Sequence, residues 1–328
     1  MQAGVAALKA AIESAESILI AAHQNPDGDA VGAVLSLSQG LTAAGKKVVP
    51  VSSDPVPGNL RFLPCWDTIR VLSDEIPWMP APFDFAIMVD VSVVARLGRA
   101  APYVSEAKTL AVIDHHQPSD DPPGHIRIID IDASATCLIL YHVFPDLGIE
   151  FTPQLAQYLL TGIATDTGSF RFRNTDPASL DAASHLVAMG ADLTQINEEV
   201  WEKKPLSAIK LLSAALDHLQ MHADGRISAS HLSTDDYESS GAKDEDSEGI
   251  VNEIGRVRTV LISAMFREPK PGRIRVSVRS RGTIDVSAVC RQFGGGGHVN
   301  AAGCTFDTSL EEAKVLLIPA LEACLESY

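Results

Sequence analysis

Five short β-rich runs constrain the first half of this chain: SILIAA at 17–22, KVVPVS at 47–52, FAIMVDV at 85–91, TLAVIDH at 109–115 and IRIIDI at 126–131. They alternate with helical patterns predicted over 30–44, 134–143 and 153–164. A strand with one face in water alternates polar and apolar residues. These runs are almost continuously apolar, so they predict a parallel sheet covered by helices on both faces. The first run leads into HQNPDGDA at 23–30, the third ends at Asp90, and the fourth ends at Asp114, His115 and His116. Open α/β sheets bind ligands outside the carboxyl ends of their strands, so this charge stands where a site is expected.

With 328 residues, 46% of them hydrophobic, the chain is long enough for two domains with cores of their own. After residue 176 the pattern becomes helical and rich in Ala and Leu, and it turns strand-like again at RISASHL, TVLISAMF and RIRVSVRS. Residues 273–279 alternate strictly, burying one face and offering arginines and a serine on the other. The predicted organisation is a catalytic domain over 1–180, a helical connector over 181–218, and a smaller α+β domain over 219–328 that ends in a helix near 310–326. Trp66, Trp78 and Trp201 read as core or boundary residues, and the isolated histidines 125, 142, 185, 218, 222 and 231 as structural or surface residues.

No apolar stretch approaches the roughly 20 residues that span a bilayer, and the N-terminal segment carries glutamates and lacks a cleavage pattern. No membrane segment or signal peptide is expected, and the expected location is the cytoplasm. The five cysteines are odd in number and form no CxxC pair, which argues against a disulfide framework and a structural zinc site.

Taken alone, HQNPDGDA fits two roles equally. It is an ordinary turn whose aspartates cap the next helix, or a loop that offers His23, Asp27 and Asp29 to a cation. The other strand ends, with Asp166 in GIATDTGSF, favour the second role. Clustered, unpartnered carboxylates are electrostatically costly. Two divalent cations balance Asp27, Asp29, Asp90 and Asp166, and neutral His23 and His115 complete the coordination. Oxygen and imidazole donors without thiolate favour Mn2+ or Mg2+ over zinc, with Co2+ and Fe2+ left open.

The formal net charge of −16 disfavours a broad grip on long duplex nucleic acid. Locally the sign reverses, with nine Lys or Arg against two acids between Arg256 and His298. The run 235–253, with eight acids and one lysine, reads as a solvated loop or helix face. In GGGGHVNAAG at 294–303, the glycines let backbone amides approach an anion, and His298 and Arg279 can add charged donors.

In order, HQNPDGDA, Val89-Asp90, DHH at 114–116 and ATDTG at 164–168 resemble the four motifs of the DHH phosphoesterase superfamily. GGGGHVNAAG resembles the signature of its C-terminal DHH-associated domain, and VRSRGTIDVSAVCRQFGGGGHVNAAG is most similar to the nanoRNase and pAp phosphatase group. The resemblance implies that His23, Asp27 and Asp90 hold one cation while Asp29, Asp90, His115 and Asp166 hold the other. By the same resemblance His116 faces the substrate phosphate and Asp114 orients the histidines. Arg279, Ser280, Arg281, Gly295, Gly296, Gly297, His298 and Asn300 are the implied substrate contacts, with Arg171 as a further candidate.

The implied activity is metal-dependent hydrolysis of short oligoribonucleotides of two to five residues to 5'-mononucleotides, and removal of the 3'-phosphate of pAp. Two cations are expected, Mn2+ foremost, with Mg2+ or Co2+ as alternatives, and a homodimer is compatible with the sequence. Cyclic-di-AMP or pApA phosphodiesterase activity is the competing enzymatic reading. A non-catalytic nucleotide sensor ranks below both because the metal positions are intact.

Overall fold

The computed structural model describes residues 2–73, 82–118 and 121–326, so Trp78 lies outside the described residues. The chain divides into two compact units, Met1–Lys203 and Lys204–Tyr328. In the first, the strands are β1 (Ser17–Ala21), β2 (Lys47–Ser52), β3 (Arg70–Val71), β4 (Phe85–Val89), β5 (Thr109–Asp114) and β6 (Ile126–Ile129). The helices are α1 (Gln2–Ser14), α2 (Gly28–Ala43), α3 (Ala101–Ser105), α4 (Thr136–Leu147), α5 (Pro153–Asp166), α6 (Pro177–Ala188) and α7 (Leu193–Asn197).

The sheet is parallel throughout, in the order β3-β2-β1-β4-β5-β6. The strand order reverses between β1 and β4, and ligands of doubly wound sheets bind beside such a reversal. All five expected strands form. Their alternate residues feed two cores, as a sheet buried on both faces requires. Ile18, Ile20, Ile87 and Ile113 pack with α2, α4 and α5. Leu19, Ala21, Met88 and Val112 pack on the other face with Leu97 and Val104. Helix α1, which the pattern reading did not include, buries Val5, Leu8 and Ile12 along one helical face. Trp66 and Trp201 pack at the margin of the first core.

The second unit contains α8 (Leu206–Asp217), α9 (Thr234–Ser240), α10 (Ile250–Ile254), α11 (Val286–Gln292) and α12 (Leu310–Glu326). Its strands are β7 (Gln220–His222), β8 (Ile227–Leu232), β9 (Ile262–Lys270), β10 (Arg273–Ser280), β11 (Gly296–His298) and β12 (Ala301–Phe306). They form a mixed sheet, β11-β12-β10-β9-β8-β7, in which β8 and β9 are parallel. The strict alternation expected along β10 is present: Ile274, Val276 and Val278 are buried, and Arg273 and Arg275 are exposed.

The acidic run 235–253 is more than a solvated face. It folds into α9, a 3-10 turn and α10, and Asp244 pairs with Arg275 and, at 3.4 Å, with Arg267. Partner arginines distant in sequence convert one of its acids into a tertiary contact. Among the described residues no helix is long and apolar enough to cross a membrane.

Candidate metal centre and active site

The strands of the first sheet deliver their charges where the ladders stop. After β1 the chain turns through His23, whose Nδ1 lies 2.8 Å from the Gln24 carbonyl. A carbonyl can only accept, so Nδ1 carries a proton and Nε2 is the nitrogen turned toward the carboxylates. That Nε2 stands 3.3 Å from Asp90 Oδ2 and 3.9 Å from Asp27 Oδ2. Asp27 caps the helix and also faces the cluster. Its Oδ1 caps α2, accepting the N–H groups of Asp29 and Ala30 at 3.1 Å, while Oδ2 faces His23.

Asp90 follows β4, and its N–H still donates to the Ile113 carbonyl at 2.9 Å. The residue is left-handed, with φ at 59°, a strained state for a non-glycine side chain that the surrounding structure must enforce. It turns Oδ2 toward His23 and Oδ1 toward His115, whose Nε2 is 3.5 Å away. His115 is placed in the same way. Its Nδ1 is 3.2 Å from the Ala133 carbonyl, which directs Nε2 toward Asp166 Oδ2 at 3.1 Å and Asp29 Oδ2 at 3.9 Å. This Nε2 is buried, and among the described residues no group meets it in hydrogen-bonding geometry.

His116 is held differently. Its Nδ1 and its backbone N–H both donate to Asp114 Oδ1, at 2.8 and 3.1 Å. Burial raises the Asp114 pKa, but these bonds and one from Ser92 outweigh it and hold the carboxyl below its usual range. Asp29, in the first turn of α2, accepts two amides from the start of α4: Thr136 N to Oδ2 at 2.6 Å and Cys137 N to Oδ1 at 2.9 Å. Asp166 is the last residue of α5, where the helix dipole opposes an anion.

Helices α2 and α5 bring Asp29 and Asp166 together across a glycine. A Cβ on Gly162 would stand 2.3 Å from Cys137 Sγ, 2.6 Å from Asp29 Oδ1 and 2.8 Å from Cys137 Cβ. Alanine improves an ordinary helix interior by about 1 kcal/mol over glycine. Overpacking a tight core opposes this by about 1–3 kcal/mol, and clashes this close belong at the upper end. Gly162→Ala is therefore expected to lower stability by about 1–2 kcal/mol net, read as a lower urea midpoint at unchanged slope.

The arrangement fits divalent cations. Three sets of donor atoms lie within 4.8 Å of one another: His23, Asp27 and Asp90; Asp29, His115 and Asp166; and Asp90, His115 and His116. Burial, then the charges of Asp29 and Asp27, push the Asp90 carboxyl well above its usual range. Burial and Asp29 raise Asp166 to about 7. Burial works to lower the His115 pKa, yet Asp166 and Asp29 hold it up at about 10. Left to itself, the cluster answers its excess negative charge by retaining protons. An imidazole nitrogen aimed at carboxylate oxygens needs a proton or a metal cation between them, and a divalent cation at this position takes the place of the retained protons. Cys137 adds no thiolate to this set, because burial and then Asp29 push its pKa far up. The donors are oxygens and imidazoles, a set that suits divalent cations without thiolate ligation.

The second unit carries the remaining sequence-predicted residues except Arg171. Arg279 Nη1 donates to the Val278 carbonyl at 3.0 Å, and burial lowers the pKa of its guanidinium. Arg281 Nη2 donates to the Gly255 carbonyl at 2.7 Å. Ser280 Oγ donates to the Ile284 carbonyl at 2.6 Å and accepts from Asn300 Nδ2 at 2.9 Å, so both side chains brace the 280–284 loop. Gly295 has a packing reason as well as a chemical one, since a Cβ there would lie 2.1 Å from the Gly303 carbonyl. Gly296 and Gly297 share β11 with the exposed His298. In the first unit, Arg171 Nε donates to the Gly168 carbonyl at 2.6 Å. The sequence reading passes over Ala133, Thr136, Cys137 and Ser92, because small residues and backbone amides leave no motif.

A model of the DHH family, N-terminal domain, matches residues 17–163, and one of the DHHA1 domain matches residues 226–327. The chain is 35% identical over 288 residues to the bifunctional oligoribonuclease and PAP phosphatase NrnA of Thermus thermophilus, a match covering 88% of this chain and 83% of that protein. The protein of the same name from Bacillus subtilis is 28% identical, covering 95% and 96%. Among solved structures, an exopolyphosphatase-related protein from Bacteroides fragilis is similar with a TM-score of 0.89 at 25% identity, covering 100% of this chain and 97% of that one.

Proposed function

The chain belongs to the DHH family, and from that premise we propose that it hydrolyses short oligoribonucleotides to 5'-mononucleotides and removes the 3'-phosphate of pAp. The observation that carries the chemistry is the inward-facing cluster: the Nε2 atoms of His23 and His115 aimed at Asp27, Asp29, Asp90 and Asp166. Two cations, Mn2+ foremost, would be held by His23, Asp27 and Asp90 on one side and by Asp29, Asp90, His115 and Asp166 on the other. When bound, such ions lower the pKa of water toward neutrality and neutralise charge on phosphoryl oxygens.

The chain's own residues supply the rest. Asp114 holds Nδ1 of His116 and so fixes the ring, and the other ring nitrogen is the atom that meets the scissile phosphate. Asp114, buried and held below the usual carboxylate range, keeps that ring in place as charge builds on the phosphoryl oxygens. In the second unit, Arg279, Arg281, His298 and the amides of Gly295–Gly297 contact the nucleotide away from the reacting bond. Ser280 and Asn300 shape that loop and contribute through it, and Arg171 adds a further phosphate contact. The enzyme works in the cytoplasm on RNA fragments too short to bind by broad electrostatic attraction.

A substrate panel tests this reading. In Mn2+-supplemented buffer, a labelled RNA dinucleotide, a pentanucleotide and pAp should be turned over far faster than an RNA 24-mer, cyclic-di-AMP or pyrophosphate. Preference for the 24-mer or for pyrophosphate would overturn the proposal, and preference for cyclic-di-AMP would replace it with the phosphodiesterase reading.

A further inference from the structure

The start of α4 touches the charged cluster at several points that no motif marks. The Ala133 carbonyl faces His115 Nδ1 at 3.2 Å. The Ser134 carbonyl accepts from Asn174 Nδ2 at 3.2 Å, and the same amide reaches the Asp166 carbonyl at 3.1 Å. The amides of Thr136 and Cys137 hold the two oxygens of Asp29. These contacts go through the backbone of 133–137, and two side chains add to them: Cys137 Sγ donates to the Asp29 carbonyl at 3.6 Å, and Thr136 reaches a carboxylate. The hydroxyl of Thr136, whose side chain is fully buried, donates to Asp90 Oδ1 at 3.2 Å.

That oxygen lies in the middle of the cluster, 3.5 Å from His115 Nε2 and 3.4 Å from His116 Nδ1, while the other oxygen of Asp90 faces His23. A carboxylate rotates easily about its last bond, and its two oxygens are equivalent until something fixes them. We propose that Thr136 is a positioning residue for the cation centre. Its hydroxyl fixes the Asp90 carboxylate so that one oxygen serves the His23 side and the other the His115 side. The nearby backbone donors cannot perform this function, because they are committed to Asp29. The inference rests on the two-cation reading, and hydrogen-bond partners of metal-bound groups typically change metal affinity or activity by 10–100-fold when removed.

The test compares Thr136→Val, which keeps the shape and removes the hydroxyl, with Thr136→Ser, which keeps the hydroxyl. Calorimetric titration of chelator-stripped protein with Mn2+ should show affinity weakened about 10–100-fold by valine and close to wild type with serine. At saturating Mn2+, valine should lower kcat on an RNA dinucleotide with little change in KM. Thr136→Ala should reproduce the loss and takes the place of valine if that variant fails to fold. Wild-type Mn2+ affinity in the hydroxyl-free variant would overturn the inference. So would a loss in the serine variant equal to that of valine, because the methyl would then be responsible. A wild-type protein that does not bind Mn2+ would instead overturn the two-cation reading itself.

Discussion

Asp90→Asn is expected to reduce hydrolysis of an RNA dinucleotide by at least about a thousand-fold, which corresponds to about 4 kcal/mol of lost transition-state stabilisation. The variant should nevertheless fold. Asparagine has the same shape, tolerates the left-handed φ of 59° at this position, and can still accept the Thr136 hydroxyl. It also removes a buried carboxylate that Asp29 and Asp27 repel. Metal-free Asp90→Asn should therefore melt at or above the temperature of metal-free wild type. Added Mn2+ should raise the wild-type midpoint and leave that of the variant nearly unmoved, which separates a lost ligand from a damaged fold. Near wild-type turnover at saturating Mn2+ would remove Asp90 from the centre of the site.

Withdrawal of divalent ions should abolish activity, and Mn2+ should restore it. The stability of the stripped protein should also acquire a pH dependence. The folded state keeps a proton on Asp166 up to about 7, against an ordinary value of 3.8, and on His115 up to about 10, against 6.5. Both groups bind protons more tightly when folded, so both stabilise the fold at low pH. That contribution falls as pH rises from about 4 through 7 for Asp166, and from about 6.5 toward 10 for His115. Cations displace these protons, so their benefit is smallest in acid and grows with pH. At about 100 times its dissociation constant, an ion adds about 2.7 kcal/mol, or roughly 5–10 °C in midpoint for a unit of this size. Scanning calorimetry at pH 5.5, 7 and 8.5, with and without Mn2+, measures this directly. A midpoint in Mn2+ no higher than that of stripped protein at pH 8.5 would contradict it.

Much of the site is legible in the sequence, because apolar runs that end on charge can be recognised without knowing their partners. FAIMV followed by Asp90, and TLAVI followed by Asp114, His115 and His116, mark the strand ends directly. HQNPDGDA is different. Its local chemistry fits a helix cap and a cation loop equally, and in the fold one oxygen of Asp27 caps α2 while the other faces His23. The acidic run 235–253 reads as solvated because its partners, Arg267 and Arg275, stand on strands formed later in the chain.

The sequence alone determined the strand pattern, the parallel sheet and the identity of the charged residues, since burial on both faces leaves a continuous apolar signature and unpaired carboxylates cannot be hidden. Only the tertiary structure decided how those charges are oriented. The strand order β3-β2-β1-β4-β5-β6 sets β1 beside β4, and so brings residues 23–29 next to Asp90. Gly162 lets Asp29 pack closely against α5. The start of α4, more than a hundred residues after Asp29, supplies the amides that hold it and the hydroxyl that fixes Asp90. Backbone donors and a single threonine hydroxyl carry no charge pattern, so their role exists only once the chain has brought them into contact.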